Sequence, residues 1–266
     1  MRTKEMPPVN GRGIRKVSGS ALRLGLLLLT LVAACARGES AAARERRADT
    51  ATAADERSLA TEPAPRNGPA ATSRAHSEPT VLFIGTSLTA GYGLDDPEDA
   101  YPNVVGRMLD SAGMPARIVN LGVSGETSAG ARARIDWVLR NPADVIVVET
   151  GANDGLRGLS VQAARDNIHA ILHRIRTVRP AARVLLVQME APPNLGARYT
   201  TDFHAMFPDL ARRNGVELEP FLLEGVAGDP SLNQPDGIHP NVAGARIAAR
   251  TVFRALVRKP LVDSDD

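Results

Sequence analysis

From Pro79 onward, short apolar runs alternate with longer stretches whose apolar residues recur every three or four positions. The runs predict strands near 81–85, 117–121, 144–149 and 183–189, with a weaker one around 216–221. The periodic stretches predict helices near 100–112, 128–140, 161–178 and 199–213. In the third of these, Val161, Ala164, Ile168, Ile171, Leu172, Ile175 and Val178 share one face. A last helix is expected from about Asn241 to Arg258, apolar at Ala245, Ala248, Ala249, Val252, Phe253 and Leu256. Strands alternating with helices predict a parallel sheet with right-handed crossovers, an α/β protein built as a three-layer α/β/α sandwich.

The first third of the 266-residue chain has a different pattern. Met1 to Arg23 carries six cations against the single acid Glu5, and LGLLLLTLVAA follows from Leu24 to Ala34. A basic region before a short apolar one reads as a secretory signal, because the run is too short to span a bilayer comfortably. Its VAAC end, Val32 to Cys35, resembles the lipobox of bacterial lipoproteins, so Cys35 is expected to be lipidated; the alternative is a free thiol behind an ordinary cleavage site. Cys35 is the single cysteine, which excludes a disulfide within the chain. The formal charge of +2 belongs to this leader: without its net five positive charges the remainder carries −3, and no basic, aromatic-rich patch suggests nucleic acid.

Ala36 to about Glu78 is mostly Ala, Arg, Thr, Glu and Pro, with too little apolar surface to fold. It reads as a tether with a coil reach on the order of 35 Å, although its alanines would also suit a transient helix. The expected organisation is therefore a signal over 1–34, lipidated Cys35 and tether over 35–78, one folded domain over 79–259 and a tail over 260–266. Ala36 lacks the acidic character associated with inner-membrane retention, which favours an exported protein anchored at the periplasmic face of the outer membrane.

Each strand end offers candidate chemistry. VLFIGTSLTAGYGL, Val81 to Leu94, runs from a buried strand into a turn that carries Ser87 to the carboxyl edge of the sheet. There Ser87 either caps a helix or acts as a nucleophile. NLGVSGET, Asn120 to Thr127, places Gly125 where the backbone turns sharply or approaches something closely. ETGANDGLRG, Glu149 to Gly158, sets Asn153 in a loop between glycines, for an Asx turn or for donation to a developing oxyanion. DGIHPN, Asp236 to Asn241, spaces a carboxylate three residues ahead of a histidine, so the acid can orient the ring while its other nitrogen faces outward. Pro240 is expected to open the last helix.

Together Ser87, Gly125, Asn153 and His239 resemble the four block residues of the SGNH hydrolases, a branch of the GDSL esterase/lipase superfamily. FIGTSLTAGYGL, SGETS, GANDGLRG and DGIHPN are similar, in order, to the small bacterial arylesterase and thioesterase I/lysophospholipase group, over about Val81 to Leu256. The resemblance implies a flavodoxin-like fold and acyl-ester hydrolysis through an acyl-enzyme, without metal or organic cofactor. It makes Ser87 the nucleophile, His239 the base, Asp236 its orienter, and Ser87 N–H, Gly125 N–H and the Asn153 amide the oxyanion hole. The substrates it implies are short or medium acyl, aryl or lysophospholipid esters; removal of acetyl groups from envelope polysaccharide and a non-catalytic envelope lipoprotein are the alternatives. Thr86 departs from the family's usual Asp before the serine, and the turn is expected to survive the exchange. Gly155 to Ser160 resembles a mobile segment that covers substrate in relatives, and a rigid turn would read the same.

Other signals lead elsewhere. His169 and His173 have zinc-pair spacing but no Glu follows His169, so they read as a solvated helix surface. Asp95, Asp96, Glu98 and Asp99 read as an acidic loop without calcium-ligand spacing. Glycines 85, 91 and 93 match neither GxGxxG nor GxxxxGK, which disfavours a nucleotide site.

Overall fold

The computed structural model describes residues 78–261, and all five expected strands form within it. They are β1 (Thr80–Gly85), β2 (Arg117–Gly122), β3 (Val145–Val148), β4 (Arg183–Val187) and β5 (Glu217–Glu219). Every pairing is parallel, in the order β2-β1-β3-β4-β5. This is the doubly wound, flavodoxin-like order, whose switch point between β1 and β3 opens a crevice at the carboxyl edge. The expected signal, Cys35, the tether through residue 77 and residues 262–266 lie outside the described residues.

Seven helices are described: α1 (Ser87–Ala90), α2 (Tyr101–Ser111), α3 (Ser128–Val138), α4 (Ala152–Leu156), α5 (Val161–Val178), α6 (Ala197–Asn214) and α7 (Val242–Val257). α2 and α7 pack together on one face of the sheet, and α3, α5 and α6 pack in series on the other. Every residue of β1 and β3 is buried between these layers. That is why both strands read as continuous apolar runs rather than as an alternation. Phe83, Ile146, Leu185, Phe203 and Phe207 are among the fully buried side chains of the core.

Several expected boundaries shift for local reasons. β5 stops at Glu219, earlier than the expected 221, because Pro220 has no N–H for the ladder. α7 begins at Val242 rather than at Pro240: the Asn241 side chain caps it, accepting from Ala243 N and Gly244 N at 2.9 and 3.1 Å. Pro240 instead forms an antiparallel bridge with Asn233. α1 and α4, of four and five residues, are too short to show a helical period and were not expected.

The edge of the sheet carries an ion cluster with a stability consequence. Arg183 Nε and Nη2 each hold a Glu217 oxygen at 2.9 Å, and Lys259 Nζ holds one at 2.9 Å. Hydrogen bonding from Arg183, then from Lys259, lowers the Glu217 pKa to about 2. Because the folded value lies below the unfolded one, this stabilisation is present above the ordinary carboxylate range and is lost as pH falls through about 2. Melting temperatures measured from neutral pH down to acid should therefore drop less steeply in Glu217→Gln than in wild type.

Candidate active site

β1 ends at Gly85, where a Cβ would collide with Thr89 Oγ1 and Glu149 Oε2. Glycine there lets the chain turn tightly around a buried carboxylate. Glu149, the first residue after β3, is fully buried. Its carboxylate accepts Thr86 N at 2.8 Å, Thr86 Oγ1 at 3.0 Å and Thr89 Oγ1 at 2.9 Å. Burial raises the Glu149 carboxyl above its ordinary range, a rise that these donors only partly oppose. Tyr101 Oη reaches Thr89 Oγ1 at 3.0 Å, and its own ionisation is pushed up by burial and then by Glu149. The turn expected to survive with threonine at position 86 is present, and Thr86 contributes two donors to it.

Ser87 follows as the first residue of α1. It does not cap the helix: Thr86 occupies the N-cap, and no side chain caps this end. Ser87 Oγ lies 2.9 Å from His239 Nε2, across 152 positions of sequence. His239 Nδ1 lies 2.6 Å from Asp236 Oδ2, and Asp236 Oδ1 accepts the backbone N–H groups of Ile238 at 2.9 Å and His239 at 3.0 Å. The His239 backbone bond, its ring bond and then the Ile238 bond hold the Asp236 pKa down at about 2. Asp236 is thus an exposed but firmly ionised acceptor, and it favours the ring tautomer with its proton on Nδ1. The free Nε2 lone pair then points at the serine hydroxyl.

The loop carrying His239 is tied to the serine loop. Gln234 Nε2 donates to Tyr92 O at 2.7 Å and to Pro240 O at 2.9 Å, and the Tyr92 ring lies 4.7 Å from the His239 ring, centre to centre. These ties hold the imidazole from both sides.

β2 and β3 flank β1, so their following loops meet beside Ser87. Gly125, in the loop after β2, has φ 77°, a left-handed conformation that glycine adopts without a Cβ penalty. Asn153 lies in α4 rather than in an open loop, and its Nδ2 donates to Glu126 O at 3.0 Å, which is not an Asx turn. One amide hydrogen remains for another acceptor. Among the described residues, neither the Ser87 nor the Gly125 backbone N–H has a hydrogen-bond partner. Arg157 Nη2 holds Gly125 O at 2.9 Å. Arg134 braces the same loop by binding both Glu126 oxygens, at 2.6 and 2.7 Å, and Leu121 O at 2.8 Å. Asp154 completes the frame, accepting Ser128 N at 2.8 Å and Ser128 Oγ at 2.6 Å.

The sequence model of the GDSL-like lipase/acylhydrolase family matches residues 83–247, which include FIGTSLTAGYGL, SGETS, GANDGLRG and DGIHPN. The chain belongs to this family. Esterase TesA of Pseudomonas aeruginosa is 37% identical over 185 residues, covering 69% of this chain and 89% of the relative. Thioesterase 1/protease 1/lysophospholipase L1 of Escherichia coli K12 is 35% identical over 195 residues, covering 73% and 90%. A crystal structure of TesA has a TM-score of 0.64 to this acylhydrolase at 35% identity, covering 69% of this chain and 99% of that one.

Ser87, Gly125, Asn153, Asp236 and His239 are legible in the sequence, whereas most of the groups that hold them are not. Glu149 had a readable signal, an acid directly after four buried apolar residues. Glu126 and Arg134, eight positions apart, had none. His169 and His173 are exposed, their ring centres 6.2 Å apart. No group of three potential metal ligands occurs among the described residues.

Proposed function

We propose that this acylhydrolase is a serine carboxylic ester hydrolase in which Ser87 is the nucleophile, His239 the general base and Asp236 its orienter. The observation that carries this is the continuous chain from Ser87 Oγ through the His239 ring to Asp236, at 2.9 and 2.6 Å. Ser87 Oγ adds to the acyl carbonyl as its proton passes to His239 Nε2. The resulting oxyanion accepts from the unpartnered Ser87 and Gly125 N–H groups and from the spare Asn153 hydrogen. Collapse breaks the ester C–O bond, and the leaving alkoxide takes the proton from His239. Water then adds to the acyl-enzyme by the same route, releasing the acid and restoring Ser87.

The rim supports an apolar acyl group. Among the described residues, Tyr92, Val123, Leu156, Leu159 and Ile238 are large hydrophobics that stay exposed, and each lies on a segment following the carboxyl end of a strand. Aryl, medium-chain acyl and lysophospholipid esters present apolar groups to such a rim, whereas a polysaccharide acetate does not. A chain-length series of nitrophenyl esters and lysophospholipids, each run with wild type and Ser87→Ala, tests this. Acetate release from cell-wall glycan without turnover of any member would overturn it. Asn153→Ala should lower kcat by roughly 10²-fold with little change in KM, since its donor acts as charge develops.

We further propose attachment to the envelope through lipidated Cys35, supported by the VAAC sequence after a basic and then apolar leader. Labelled palmitate incorporated into wild type and absent from Cys35→Ala is the expected result; equal labelling would refute it.

A further inference from the structure

A groove of about 660 Å³ runs between α2 and α7, away from Ser87. Its volume is within the usual range for small-ligand sites. Val104, Met108 and Phe253 contribute apolar surface to it, and Arg246, Arg250 and Arg254 line it along α7. α7 contains these three arginines and no acid. Spaced four apart, they are neighbours on the helix surface, where like charges destabilise the helix. Arg254, in the last turn, is favourably placed against the helix dipole, but Arg246 and Arg250 have no such compensation.

The next arginine at the same spacing provides a contrast. Arg258 turns to buried Glu219, with its Nη2 2.6 and 2.7 Å from the two carboxylate oxygens. Among the described residues, Arg246, Arg250 and Arg254 make no salt bridge; all three are exposed beside the groove. On the α2 side Arg107, which also lines the groove, holds Glu98 at 3.2 Å and lies 4.0 Å from Asp99, and the exposed Asp110 makes no salt bridge among the described residues.

We propose that this groove is a docking site for anionic phospholipid at a membrane surface. The arginines match lipid phosphates in charge and in hydrogen-bonding geometry. The apolar surface between the helices receives the upper part of an acyl chain, which a free phosphate or an acidic peptide would leave unused. The site is separate from the ester-cleaving one and does not rest on the roles given to Ser87 or Cys35.

The test is co-sedimentation of residues 36–266, which lack the basic and apolar leader as well as Cys35, with vesicles of phosphatidylcholine alone and with phosphatidylglycerol added. Binding to the anionic vesicles alone is expected. A triple variant, Arg246→Gln, Arg250→Gln and Arg254→Gln, should bind them roughly a hundredfold more weakly, at about fivefold per arginine. A control triple variant at exposed sites elsewhere, Arg140→Gln, Arg176→Gln and Arg198→Gln, should bind as the parent does. An unchanged melting temperature by circular dichroism shows that the groove variant is folded. Equal binding to neutral vesicles, undiminished binding by the groove variant, or an equal loss in the control would each overturn the proposal.

Discussion

Ser87→Ala is expected to lower ester hydrolysis by at least about 10⁴-fold while leaving the melting temperature within a few degrees of wild type. The size follows from cooperation: without Oγ, neither the His239 lone pair nor the ionised Asp236 behind it has a proton to move, so the three residues fail as a unit. The fold is spared because Ser87 is only half-buried and caps nothing. A fluorophosphonate probe should label wild type and not the variant. Near-normal turnover by purified Ser87→Ala protein would remove Ser87 from the mechanism.

Glu149→Ala is expected to destabilise the domain by about 3 to 5 kcal/mol and to depress kcat as well. The side chain is remote from substrate, but it is the acceptor around which the serine turn is folded. Its loss orphans Thr86 N and leaves both threonine hydroxyls to find new partners, with each unsatisfied buried donor worth about 1 to 3 kcal/mol. Relief of the carboxylate's own desolvation offsets part of this, which is why the figure is below a simple sum. Glu149→Gln keeps the shape: its oxygen in the Oε2 place accepts Thr86 N and Thr89 Oγ1, and its nitrogen donates to the Thr86 hydroxyl, so it should recover much of the loss. Thr86→Val removes one hydroxyl and should cost about 1 kcal/mol. Denaturant unfolding monitored alongside kcat for the three variants checks this order.

This cluster also explains what Thr86 does in place of the family's usual aspartate. A carboxylate at position 86 would face Glu149 directly, and two like charges at that distance cannot both ionise when buried. Threonine replaces repulsion with donation.

The legibility of the sequence followed the reach of each physical signal. Buried parallel strands declare themselves because both faces are apolar, so Val81–Ile84 and Val145–Val148 stand out without any knowledge of their partners. α5 was equally plain, since its buried residues keep a helical period across eighteen residues. β5 was faint because three residues, two of them glutamates, cannot establish an apolar run. In the site, Asp236 and His239 were readable because their relation is local, three positions within one turn. Glu149 with Thr86, Asp154 with Ser128, and Gln234 with Tyr92 meet only through the packing of separate strand ends, and no spacing within the chain encodes those contacts.

The 152 positions between Ser87 and His239 also set a timetable. The serine opens the short helix after β1 and His239 lies in the loop before the last helix, so on the proposed mechanism a nascent or truncated chain ending ahead of His239 holds a serine with nothing to take its proton. With the proposed roles, hydrolysis is expected to begin only when the final segment has docked, which would make the appearance of turnover during refolding a clock for completion of the whole domain.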